Sequence, residues 1–178
     1  QTLVNSPEFQ AALLSLKHLQ KEGWEHPKIE ELAVILEEEF KTNPHAKVIV
    51  FTQFRDTASL IAKRLNKITL INAAVFVGQV KKRDTGLSQK EQKALIEKFK
   101  TGEVNALVAT SIGEEGLDIP EVNVVIFYEP IPSAIRKIQR AGRTARLSPG
   151  KLFILITKDT RDVTHHYTSG ARERRMHK

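Results

Sequence analysis

Short apolar runs alternate with stretches of helical periodicity along most of this chain, and that alternation limits the fold more than any other feature. Lys47-Val48-Ile49-Val50-Phe51-Thr52 is rich in β-branched residues, which suits a strand buried on both faces. Asp56 to Asn66 reads as a helix and Ala73 to Val77 as a second strand. Ser88-Gln89-Lys90-Glu91 forms a capping box that opens a helix through Lys100, with Gly102 just past its end. Ala106 to Ala109 and Val122 to Phe127 supply two more strands. Ser133 opens an arginine-bearing helix, Lys151 to Thr157 is a fifth strand, and a polar, basic helix ends the chain. Two helices come first. Ser6 caps one that starts at Pro7 and stops at Gly23. His26-Pro27 opens the other, in which Ile29, Leu32, Leu36 and Phe40 recur at helical spacing until Asn43-Pro44. Trp24 is expected to pack near the turn between them. The predicted fold class is α/β: a parallel sheet with helices on both faces, preceded by N-terminal helices.

The bulk properties narrow the partners. The 178 residues are 40% hydrophobic, enough for one domain with a sizeable core. A net charge of +7 favours a polyanion. With no cysteine there is no disulfide framework and no thiolate metal site, and no apolar run nears the roughly 18 residues of a membrane span. The start, Gln1-Thr2-Leu3-Val4-Asn5, has neither an initiator methionine nor signal-peptide regions, so a fragment of a longer, soluble, intracellular protein is expected. His165-His166 are adjacent, so they point to different faces; no metal site is expected. Tyr128 and the eight phenylalanines are too dispersed to suggest a base-stacking platform.

In open parallel sheets, ligands bind beyond the carboxyl ends of the strands, and the motif-like segments follow strands here. Thr52-Gln53-Phe54-Arg55 could contact phosphate at a helix start, or could be a helix cap followed by surface polar residues. In Thr110 to Asp118, two glycines permit close backbone approach, Thr110 and Ser111 could hold a backbone phosphate, and Asp118 suits a ribose hydroxyl; a polar connection is the alternative. The loop Gln79 to Leu87 carries Lys81-Lys82-Arg83 and reads equally as a solvated loop. Gln139, Arg143 and Arg146 fall at i, i+4 and i+7, hence on one helical face. Two guanidinium forks and an amide aimed together suit a triphosphate, or else form a solvated basic face. The chain has no G-x-x-x-x-G-K-[ST], no G-x-G-x-x-G and no Asp-Glu pair after an apolar strand. A self-contained nucleotide enzyme needs a phosphate cradle and a metal, so these pieces look like half of a site.

Val48 to Arg55, then Val108 to Asp118, then Gln139 to Arg146 resemble motifs four, five and six of superfamily two helicases, in that order and at plausible spacing. Phe76 to Gln79, Gly86 to Gln92 and Tyr128 to Arg136 look like the archaeal Hef helicases and their eukaryotic relative FANCM. The resemblance implies a RecA-like second lobe over residues 26–160, with 1–25 a helical extension or linker from a preceding domain and 161–178 a basic helix or tail. It implies that Arg146 is the arginine finger, that Arg143 contacts the γ-phosphate and that Gln139 senses the phosphate or attacking water. Gly116 and Asp118 would border the nucleotide, and Thr52, Gln53, Arg55, Gly78, Gln79, Thr110 and Ser111 would line the nucleic-acid backbone path. Ala145 stands where the family often has glycine. ATP with Mg²⁺ would be held mainly by a first RecA-like lobe, so this chain alone is expected to be inactive. Forked or branched DNA is the implied partner, in an archaeal cytoplasm or a eukaryotic nucleus. An RNA-directed lobe of the same superfamily and a non-catalytic nucleic-acid-binding module are the competing readings.

Overall fold

The computed structural model describes residues 3–78, 87–110, 120–130 and 150–164. Helix α1 spans Pro7–Lys21 and is capped by Ser6, whose Oγ accepts the Phe9 N–H at 3.2 Å. Helix α2 spans Pro27–Thr42, with His26 Nδ1 accepting the Lys28 N–H at 3.2 Å. Strands and helices then alternate: β1 (Val48–Thr52), α3 (Arg55–Leu65), β2 (Ala73–Phe76), α4 (Gln89–Thr101), β3 (Ala106–Thr110), β4 (Val124–Phe127) and β5 (Lys151–Ile154). The strands form one sheet in the order β2-β3-β1-β4-β5, and every pairing is parallel.

Both faces of that sheet are covered, which is why β1, β3 and β4 are buried at every position. On one face, Ile29, Leu32, Leu36 and Phe40 of α2 and Ala58, Ile61 and Leu65 of α3 pack over Val48, Val50, Val108 and Ile126. On the other, Ile96 and Phe99 of α4 pack over Ile49, Phe51, Leu107 and Phe127. Strand neighbours in sequence thus point to opposite layers, as a two-residue period requires. The capping box of α4 is formed, Ser88 with Glu91, and Gly102 closes the helix at φ 85°, a conformation that suits glycine. These features are those the sequence predicts.

Three expectations need correction. Trp24 does not pack: it is 71% exposed and its indole N–H donates to Glu22 at 3.2 Å. The reason is that α1 has no buried residue, so the turn after it has no core to meet. Strand β4 starts at Val124 rather than Val122, because the Asn123 side chain takes the Lys47 N–H at 2.8 Å just before the ladder begins. Strand β5 stops at Ile154 rather than Thr157, because its neighbour among the described residues, β4, ends at Phe127; Leu155 N–H makes a last bond to Phe127 O, and Thr157 N–H turns to Asp162. The arginine-bearing helix and the terminal helix from 165 onward lie outside the described residues.

Candidate functional site

Because every strand runs the same way, the segments that leave the strands' carboxyl ends emerge along one edge. Thr52 and Thr110 end adjacent strands in direct register. Tyr128-Glu129-Pro130 follows β4 beside them, with Tyr128 N–H donating to Phe51 O at 2.9 Å. Glu129 ties these segments together. One of its carboxylate oxygens accepts the Thr52 hydroxyl at 3.0 Å and the other accepts the Gln53 N–H at 3.1 Å. Thr52 is buried, whereas the Gln53 side chain is exposed.

The segment after β2 is held from both sides of the sheet. Arg55 Nη2, at the start of α3, donates to Gly78 O at 3.2 Å, and Gln92 Nε2 of α4 donates to Val77 O at 2.9 Å. Thr110 is different. Its hydroxyl is buried and is the one such side-chain atom among the described residues without a hydrogen-bond partner. A buried hydroxyl left unpaired costs about 1–3 kcal/mol.

A buried cation underlies the cluster. Lys28, at the start of α2, donates to Tyr128 O at 3.0 Å, pairs with Asp162 and lies 5.6 Å from the Tyr128 ring centroid. Burial pushes the Tyr128 phenol up to about 12, helped by the nearby Glu129 and Glu25 charges. Burial would also raise Asp162, but bonds from Lys28 and the Thr157 N–H outweigh it and hold that carboxyl below its usual range. For Glu129, burial wins: its carboxyl sits above the usual glutamate range despite the Thr52 and Gln53 bonds and the Lys28 charge.

The raised Glu129 value has a signed consequence. Between the ordinary range and its own value, the folded protein holds a proton that the unfolded chain has released. The group's contribution is therefore fully present below the ordinary range and is lost as pH rises through the raised value. Wild-type protein is expected to gain stability relative to Glu129→Gln as pH falls through the raised value toward the ordinary glutamate range. Denaturant midpoints across that window check it; a difference that stays constant with pH contradicts it.

Of the residues singled out in the sequence, Thr52, Gln53, Arg55, Gly78 and Thr110 gather at this edge. Gln79, Ser111, Gly116, Asp118, Gln139, Arg143 and Arg146 lie outside the described residues. Sequence reasoning missed Glu129 and Lys28. The one available signal for Glu129 was a carboxylate directly after an apolar strand and before Pro130. Among the described residues, no group of three or more His, Cys, Asp or Glu could hold a metal ion, and no helix is long and apolar enough to cross a membrane.

Residues 27–148 match the family described as the helicase conserved C-terminal domain. The chain is 41% identical, over 99% of its length, to a Methanocaldococcus jannaschii protein named as an ATP-dependent RNA helicase, of which it covers 22%. It is 46% identical, over 77% of its length, to the Neurospora crassa ATP-dependent DNA helicase mph1, of which it covers 13%. Among solved structures, the Pyrococcus furiosus Hef helicase domain is similar at 45% identity and a TM-score of 0.74, covering 94% of this chain and 34% of that one. The chain thus spans about a fifth or less of the curated relatives and a third of the solved one.

Proposed function

Since this chain belongs to the helicase conserved C-terminal domain family, with a RecA-like sheet like that of the Hef helicase domain, we propose that it is the second motor lobe of an ATP-dependent DNA helicase or translocase acting on forked or branched DNA. In this reading the sheet's carboxyl edge follows one strand's phosphates. Gln53, Arg55, Gly78, Gln79, Thr110 and Ser111 line the path, and Thr52 braces the turn from below. A backbone path positions a strand without reading its sequence. The observation that supports the nucleic-acid part is the convergence at this one edge of the exposed Gln53, on the Glu129-held turn, and of Arg55, which reaches Gly78 O.

The catalytic part rests on Gln139, Arg143 and Arg146, with Gly116 and Asp118 at the nucleotide edge. ATP with its Mg²⁺ is held mainly by a preceding lobe, and the arginines complete the site from across a cleft. Cleft closure then depends on the γ-phosphate and relaxes once it is lost. By itself the chain hydrolyses nothing. The division into an extension over 1–25, a lobe over 26–160 and a basic tail over 161–178 draws support from α1, which buries no residue, and from the family match beginning at residue 27.

A second reading, an RNA-directed motor, is favoured by the name of the M. jannaschii relative. ATP turnover of the full-length protein, stimulated in parallel by forked DNA and by duplex RNA, separates the two. Forked DNA is expected to stimulate and RNA to do little; the reverse result replaces the DNA reading with the RNA one.

A further inference from the structure

Phenylalanine is not spread evenly through this fold. Five of the eight, Phe40, Phe51, Phe76, Phe99 and Phe127, are fully buried. Phe54 is the opposite: it is 63% exposed at the carboxyl edge of the sheet, between the exposed Gln53 and the half-buried Arg55. It also occupies the N-cap of α3, where it offers no side-chain acceptor. The other three described helices are capped by Ser6, His26 and Ser88. Phenylalanine here therefore forgoes a cap and leaves most of a large ring in water, two costs to the fold.

The backbone presenting the ring is held on both sides. Glu129 grips Thr52 and the Gln53 N–H immediately before it, and Arg55 immediately after it is bonded to Gly78 O. Ala58 N–H closes on Phe54 O at 3.0 Å. An aromatic on a pre-organised turn loses little entropy on contact. The unpaired Thr110 hydroxyl ends the strand next to β1. Polar groups that end the parallel strands and an exposed π-face thus share one edge, the combination that single-stranded nucleic acid uses.

We propose that Phe54 is a stacking contact for a nucleobase of the strand held along this edge. The inference deepens the reading above: that reading concerns the phosphates, this one a base. Stacking accepts any base, so it adds grip without sequence preference.

The test uses the full-length protein with a non-hydrolysable ATP analogue, a short oligothymidylate, and an abasic strand of equal length. Phe54→Ala is expected to weaken oligothymidylate binding by about 5- to 150-fold, the range seen when stacking aromatics are removed, and to leave abasic-strand binding unchanged. Phe54→Trp should retain oligothymidylate affinity, and Phe54→Leu, which keeps apolar bulk without the π-face, should not. Phe54→Ser provides a stability readout, because it restores a cap: it should raise the melting temperature while losing affinity. A merely structural residue would not move the two in opposite directions. Equal losses on both strands, no loss on either, or full affinity with leucine would overturn the stacking role alone. Failure of the wild-type protein to bind either strand would overturn it together with the motor-lobe reading.

Discussion

Replacing Arg146 by alanine in the full-length protein is expected to lower nucleic-acid-stimulated ATP turnover by about 10³-fold or more, while strand affinity stays within a few-fold of wild type. The size follows from the chemistry. Phosphoryl transfer spreads negative charge over the γ-phosphate oxygens as the bond to the leaving group breaks, and a guanidinium placed there acts mainly on the transition state. In the proposed reading, binding uses a different surface, the edge that carries Gln53 and Arg55, so the two properties are expected to separate. Arg146→Lys should not rescue turnover, because an ammonium keeps the charge without the planar fork. The i, i+4, i+7 spacing of Gln139, Arg143 and Arg146 in the sequence predicts one shared helical face, so Arg143→Ala is expected to fall in the same class. Steady-state turnover at saturating DNA, with affinity measured by anisotropy, checks both. A variant that keeps more than about a tenth of wild-type turnover would falsify the arginine-finger role.

Phe127→Ala should destabilise the fold by about 3–5 kcal/mol, a large part of the 5–15 kcal/mol that holds typical domains together. Phe127 is 1% exposed in β4, in register with Phe51, and the two rings stack at 5.8 Å between centroids. Both lie under α4 with Ile96 and Phe99. Truncation leaves a cavity that a two-sided sheet cannot close, because helices fix it above and below. The loss would also reach the site, since Thr52 and Tyr128 directly follow these two residues. Leu152→Ala on the edge strand, where the side chain is 41% exposed, is the control and should cost far less. Urea unfolding of both variants reads the difference; similar midpoints would show that Phe127 is not central to packing.

Much of the architecture was legible because it is local. A short continuous run of β-branched and other apolar residues marks a strand buried on both faces, and Ser88 with Glu91 marks a helix start, whatever lies elsewhere in the chain. The α1 and α2 boundaries followed from Ser6-Pro7 and His26-Pro27 in the same way. Part of the edge was legible too, since any residue just after a parallel strand must emerge there. Strand ends were less so. The stop of β5 at Ile154 depends on where its neighbour ends, which its own residues do not encode.

The sequence by itself thus determined the kinds of element, their order and the family to which the chain belongs, because periodicity, capping and motif spacing are properties of neighbouring residues. Only the tertiary structure decided the strand order, the grip of Glu129 on a turn 77 positions earlier, and the solitude of the Thr110 hydroxyl. It alone sent five phenylalanines inward and left Phe54 in water. The physical reason is common to all of these: burial and hydrogen-bond pairing depend on which distant segments share a layer, and nothing in a residue's local context specifies that.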